Sequence, residues 1–124
     1  MQNIVEKADE RAARIKEEFT PRIVETHPDW LTDAITTMPH STWGNGEVCV
    51  LFVERRVGCK PKAQGQTQYI FGYWVCSNGR WNRTNYHAPI PEQDLVPLLV
   101  KAIQEGTIQA KGVFAPLFQA FLDK

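Results

Sequence analysis

TQYIFGYWVCSNGRWNRTNY, residues 67–86, decides the fold. Thr67 to Cys76 is rich in the aromatic and β-branched residues that suit a pleated surface, and Asn78-Gly79 supplies the two positions of positive φ that a type I′ turn requires. Arg80 to Tyr86 then returns, so the stretch reads as a β-hairpin. With Ser77 opposite Arg80, Cys76 faces Trp81, Trp74 faces Arg83 and Ile70 faces His87. Phe71, Tyr73 and Val75 share the other face with Asn82, Thr84 and Tyr86.

Upstream, Asn45-Gly46 marks a turn and EVCVLFVE, Glu47 to Glu54, is apolar on both faces, as a central strand covered by helices should be. Val57 to Gln66, with its glycines, proline and lysines, reads as a long mobile connection between this strand and the hairpin. Before the strands, Val5, Ala8, Ala12, Ile15 and Phe19 recur at spacings of three and four, which predicts an amphipathic helix over residues 3–19. Thr20-Pro21 resembles an N-cap and first helical position, starting a short helical turn through Val24. His27-Pro28-Asp29 opens a further helix in which Trp30, Leu31, Ala34, Ile35 and Met38 keep helical spacing until Pro39.

Downstream of APIPEQ, Leu95, Val96, Leu99, Ala102 and Ile103 form one helical face, capped by Asp94, with Pro97 tolerated in the first turn and Gly106 at the end. A last helix bearing Phe114, Leu117, Phe118, Phe121 and Leu122 is expected to close the core. The expected fold class is α+β: one domain over 1–124, with a three-stranded antiparallel β-meander (47–87) whose N-terminal helical arm (1–40) and C-terminal helical pair (92–124) pack on one face. One covered face leaves the other wet. The charge-free Phe71-Tyr73-Val75 face is therefore expected to be buried, with Trp74, Trp81 and Arg83 at least partly exposed and Trp81→Ala mild in its effect on stability.

The 124 residues suffice for one core, and 43% hydrophobic with 23% charged residues is ordinary for a folded domain. Apolar runs fall far short of the ~20 residues that span a bilayer, and the charged N-terminal stretch lacks the apolar segment of a secretory signal. A cytoplasmic protein without membrane contact is the expectation. Cys49, Cys59 and Cys76 form no CxxC and leave one unpaired under any disulfide scheme, which fits a reducing compartment. Cys49 and Cys76 read as small core residues, and Cys59 as an exposed loop thiol.

Charge is the informative quantity. Lys and Arg number 14, as do Asp and Glu, yet between Arg55 and Pro91 stand Arg55, Arg56, Lys60, Lys62, Arg80 and Arg83 without one acid. Interleaved with them are Trp74, Trp81, Tyr86 and His87. Such a surface could neutralise phosphates and stack bases, although packing alone also favours aromatics in strands and cations keep an edge soluble. His27, His40 and His87 make no metal-binding spacing, and no nucleophile motif or phosphate loop is present, so neither a metal, a cofactor nor a catalytic residue is expected. A Cys59/His87 dyad is the minority enzymatic alternative, with nothing to order it.

TMPHSTWGNGEVCVLF, YWVCSNGRW and YHAPIPEQ, within residues 37–92, resemble a small domain of unknown function common in phage and prophage accessory genes. The resemblance implies a phage or mobile-element setting, and with it an accessory or counter-defence role, but no functional residue. Together these readings lead to a non-catalytic binding protein. Arg55, Arg56, Lys60, Lys62, Trp74, Arg80, Trp81, Arg83, Tyr86 and His87 would engage an anionic partner, nucleic acid or nucleotide. The alternative is a protein-protein inhibitor or assembly subunit that meets a host protein complex through its helical surfaces, the acidic 1–40 segment among them; a homodimer through the first helix would serve either.

Overall fold

Asn78 and Gly79 have φ of 53° and 76°, so the turn is the left-handed one its sequence requires. It joins Thr67–Ser77 to Arg80–Thr84 in the anticipated register, Ser77 opposite Arg80, Cys76 opposite Trp81 and Trp74 opposite Arg83. The computed structural model describes residues 6–41, 48–84, 89–109 and 115–122. Tyr86, His87, the Asn45-Gly46 turn and Phe114 lie outside the described residues, and so does the pairing of Ile70 with His87.

The sheet has five strands, not three: β1 (Arg22–Val24), β2 (His27–Pro39), β3 (Cys49–Gly58), β4 (Thr67–Ser77) and β5 (Arg80–Thr84). They lie in sequence order, each antiparallel to the next. Helices α1 (Ala8–Glu18), α2 (Glu92–Gln104) and α3 (Ala115–Leu122) complete an α+β fold.

The segments expected to be a helical turn before Val24 and a helix from His27 are therefore β1 and β2. The reason lies at Asp33, where a register shift between Thr32 and Ala34 inserts one extra residue. The residues opposite Val57, Arg55, Val53 and Leu51 are Leu31, Ala34, Thr36 and Met38, and those opposite Arg56, Glu54 and Phe52 are Thr32, Ile35 and Thr37. Across the bulge a face recurs after three residues instead of two, which imitates helical spacing. Thr32, Ile35, Thr36 and Thr37 are β-branched and settle the choice for a strand.

Helices cover both faces of the sheet, not one. Ala8 and Ala12 of α1 pack on Val50 with Ile15, Trp74 and Trp81 around them. Leu98 and Ala102 of α2 pack on Leu51 and Val53, joined by Ile108, Phe71 and Tyr73. Trp74, Trp81 and Arg83 are partly exposed, as expected, yet both tryptophans also pack against the core under α1, and Trp81 Nε1 donates to the Glu6 carbonyl at 3.2 Å, which ties the chain ahead of α1 to the hairpin. The C-terminal stripe was expected to close the core; Leu122 is 77% exposed, and the side chains of Phe114, Leu117, Phe118 and Phe121 lie outside the described residues. Gly106 ends α2 at φ 81°, as expected. Asp94 does not cap the helix; it sits buried in the first turn and accepts the Ser41 backbone N–H at 3.3 Å, with His40 Nδ1 3.4 Å away. Pro97 follows Glu92 by five positions, so it falls in the second turn.

β1 pairs with β2 only as far as Thr32, which leaves the rest of β2 as a sheet edge. Lysines from the two helices close it: Lys16 Nζ of α1 donates to the Ile35 carbonyl and Lys101 Nζ of α2 to that of Thr37, both at 2.6 Å. Between them Thr36 Oγ1 bonds Thr107 Oγ1 and Glu105 Oε1, at 2.7 and 2.9 Å. The 57–66 connection is likewise shorter than expected. β3 continues to Gly58, and the turn that follows buries Ala63 against it and ties Cys59 N–H to the Asp29 carbonyl at 2.8 Å.

Candidate anion-binding groove

Alternation along β3 sends Val50, Phe52, Glu54 and Arg56 to the α1 face of the sheet. Opposite Phe52 on β4 stands Gly72, where a Cβ would lie 2.5 Å from Phe52 Cζ and 2.7 Å from the Thr84 carbonyl oxygen. The missing side chain lets the Phe52 ring lie over β4 toward β5. Arg83 of β5 then rests its guanidinium on that ring, 4.6 Å from the centroid, and its Nη1 donates to Glu54 Oε1. Glu54 is 2% exposed. A carboxylate so deep requires cationic partners, and Arg83 is one; Arg56 Nη2, at 3.6 Å from Oε2, is the other.

β1 and β5 are the two edges of the sheet, yet Arg22 of β1 and Arg83 of β5 together line two neighbouring recesses that make a groove. One, of about 200 Å³, is lined by Arg11, Arg14, Ile15, Glu18 and Phe19 of α1 and its C-terminal end, with Ile35, Trp74, Arg22 and Arg83 beneath. The other, of about 490 Å³, runs along β1 over Thr32, Glu54 and Arg56, and Arg22 and Arg83 line it too. Five arginines thus border the groove against three glutamates, Glu18, Glu25 and Glu54. Arg14 is occupied by Glu6, with Nε 2.9 Å from Oε2, and Arg11 lies over the Trp74 ring at 5.1 Å. The Arg22 side chain, at the junction of the recesses, has no hydrogen bond or ion pair among the described residues. Four polar groups bordering the groove are buried without a hydrogen-bond partner: Arg11 Nε, Glu54 Oε2, Arg56 Nε and Trp74 Nε1.

Of the ten residues expected to act together, the eight that are described are separated by the fold, and Tyr86 and His87 lie outside the described residues. Arg56, Trp74 and Arg83 line the groove. Arg55 points to the opposite face, where it pairs with Asp33 (Nε to Oδ1, 2.8 Å) and donates to the Gly106 carbonyl at 2.9 Å; the Asp33 hydrogen bond, set against burial, raises its pKa above the ordinary value. Lys60 and Lys62 are exposed on the turn after β3, and Arg80 follows the hairpin turn at the far end of β4, roughly 30 Å away at a strand's rise per residue. Trp81 packs under α1. Arg11, Arg14, Arg22 and Glu54 were not foreseen. For Glu54 the signal was present, a lone acid at the end of a strand apolar on both faces; for Arg22 none existed once β1 was read as helical.

Of the thiols, Cys49 is wholly buried, and that burial, followed by the nearby Asp94 carboxylate, pushes its pKa up from 9.0 to about 11. Cys59 is exposed, its Sγ 3.6 Å from the Pro28 carbonyl oxygen, and Cys76 is half-buried. No group of three or more His, Cys, Asp or Glu among the described residues could hold a metal ion. No helix among them is long and apolar enough to cross a membrane. No family model, curated protein or solved structure matches the chain.

Proposed function

We propose that the chain is a non-catalytic cytoplasmic binding protein that takes an anionic ligand in the groove between α1, β1 and β5. The supporting observation is that Arg22, whose side chain has no partner among the described residues, lines both recesses together with Arg83. Arg83 is already fixed by Phe52 and Glu54, so little side-chain entropy is lost when its remaining N–H groups meet an anion. The hairpin contributes Trp74 and Arg83 to this reading; Lys60, Lys62 and Arg80 are left as solvating charges. The resemblance of residues 37–92 to phage accessory domains supplies the setting, an accessory or counter-defence protein that sequesters or intercepts its ligand.

Titration calorimetry with phosphate-bearing ligands at several salt concentrations tests the proposal. Binding should weaken with salt, with a slope of about 0.7 per phosphate contacted if the ligand is single-stranded. Arg22→Gln, at an exposed strand edge, should abolish binding and leave the melting temperature unchanged. Affinity that ignores salt from about 50 to 300 mM, or survives Arg22→Gln, overturns it.

A second reading, a protein-protein inhibitor or assembly subunit acting through helical surfaces, is favoured by one observation. Val96 and Val100, one turn apart on α2, are 57% and 46% exposed. Val96→Lys/Val100→Glu would abolish such an assembly and leave ligand binding intact.

A further inference from the structure

Granting that the groove is an anion site, we propose that its ligand is a phosphodiester with a substituent on each side, of dinucleotide size, and not a continuous strand. The two cations shared by both recesses, Arg22 and Arg83, mark where the phosphate sits; a recess opens on either side of them. A phosphate monoester would fill one side and leave the other empty. The combined volume, near 700 Å³, lies in the usual range for a small-molecule site of about 300–1,000 Å³. A longer strand would need a cationic track beyond the groove, yet Lys60 and Lys62 lie at one end of β4, Arg80 at the other, and Arg55 on the opposite face.

The unpartnered buried atoms give the ligand a direction. Trp74 lines the smaller recess with Ile15, Phe19 and Ile35 and carries a buried, unpartnered Nε1 donor, which assigns that recess a ring bearing a hydrogen-bond acceptor. Glu54 Oε2 is an acceptor on the larger recess, with Arg56 too distant for a hydrogen bond, so a hydroxyl or amino donor belongs there. An unmade hydrogen bond at a buried group is expensive, and a ligand that satisfies both atoms gains twice. Glu54 also disfavours a bare anion in the larger recess. Inorganic phosphate has the charge that Arg22 wants and nothing for Trp74 or the full length of the groove.

The probes are adenylyl-3′,5′-adenosine, adenosine monophosphate, inorganic phosphate and a thymidine oligonucleotide, each titrated calorimetrically against the full chain. Adenylyl-adenosine should bind at least tenfold tighter than the monophosphate and no weaker than the oligonucleotide. Glu54→Gln separates the roles of that carboxylate: affinity for inorganic phosphate should rise severalfold and affinity for adenylyl-adenosine should fall severalfold. A merely structural contribution would move both in the same direction, and so would overturn the assignment of Glu54. If the Gln variant fails to fold, Trp74→Phe, which keeps the ring and removes the N–H, should lower adenylyl-adenosine affinity and spare phosphate; equal losses overturn the inference. Phosphate and oligonucleotide binding without preference for the dinucleotide refute this inference alone. Binding of none of the four refutes the anion site beneath it.

Discussion

Gly72→Ala tests the packing that holds the groove together. The position is not one of the positive-φ glycines, so backbone conformation does not forbid alanine, and loss of chain entropy in the unfolded state would by itself stabilise the variant by about 0.4–1 kcal/mol. The new methyl, however, would stand 2.5 Å from Phe52 Cζ and 2.7 Å from the Thr84 carbonyl oxygen, each about 1 Å inside ordinary contact. Neither neighbour can yield easily: Phe52 is wholly buried, and the Thr84 oxygen is backbone of the adjoining strand. Overpacking of this kind costs about 1–3 kcal/mol, and a shift of Phe52 carries the Arg83 guanidinium with it. We expect net destabilisation of about 1–2 kcal/mol, a fall in melting temperature of roughly 4–10 °C for a chain of this size, together with weaker anion binding. Thermal melts followed by circular dichroism, paired with calorimetry, measure both. A variant that melts at or above the parent and binds unchanged would show that the Gly72-Phe52-Arg83 stack does not position the site.

Trp81→Ala should destabilise by about 2–3 kcal/mol, somewhat below the range for a fully buried tryptophan because the ring is half-buried, measured by urea unfolding; a loss under 1 kcal/mol would restore the exposed-face reading. Lys101→Met should cost about 1–2 kcal/mol through the Thr37 carbonyl and, with Lys16→Met, should promote concentration-dependent association through the uncovered β2 edge, read by light scattering; a monodisperse double variant would refute the edge argument. Cys59 should react with a maleimide in the native state while Cys49 does not. With the Cys49 pKa raised on folding, the unfolded chain loses its proton first, so the thiol's contribution to stability holds below pH 9 and declines between about pH 9 and 11; Cys49→Ala should abolish that part of the alkaline decline, and an unchanged profile would refute it.

The hairpin was legible because everything that specifies it is local. Two adjacent residues able to take positive φ, flanked by strand formers, fix a turn and a register without reference to the remaining chain. β2 was not legible, because its period is defined by its partner β3. A single extra residue at Asp33, which costs the ladder little, moves every later side chain by one step and turns spacings of two into spacings of three. With β2 taken for a helix, its neighbour β1 lost the strand it pairs with, and Arg22 lost its place in the groove. The count of strands and the placing of helices on both faces follow from that one error. A sheet whose central strand is apolar on both faces needs two covers, and EVCVLFVE already said so.

The acid-free window from Arg55 to Pro91 is a feature of the sequence and not of the surface. Glu54 stands one residue outside it and Asp33 well before it, yet these two carboxylates take Arg83 and Arg55, and Glu54 draws Arg56 close. The fold pairs Arg55, Arg56 and Arg83 of the window with carboxylates and leaves Arg80, Lys60 and Lys62 exposed. The unpaired cation of the proposed site comes from elsewhere: Arg22 belongs to the segment that holds eight acids against five cations, and it lines the same two recesses as Arg83 from the other edge of the sheet. Net charge along the chain carried the expectation of an anionic partner, and the placing of the proposed site depends on which cations the buried carboxylates leave unpaired. Arg22 alone among the groove's described arginines has no carboxylate or ring partner, and loss of binding in Arg22→Gln beside retained binding in Lys60→Gln/Lys62→Gln is the comparison that decides between a groove and a charged hairpin.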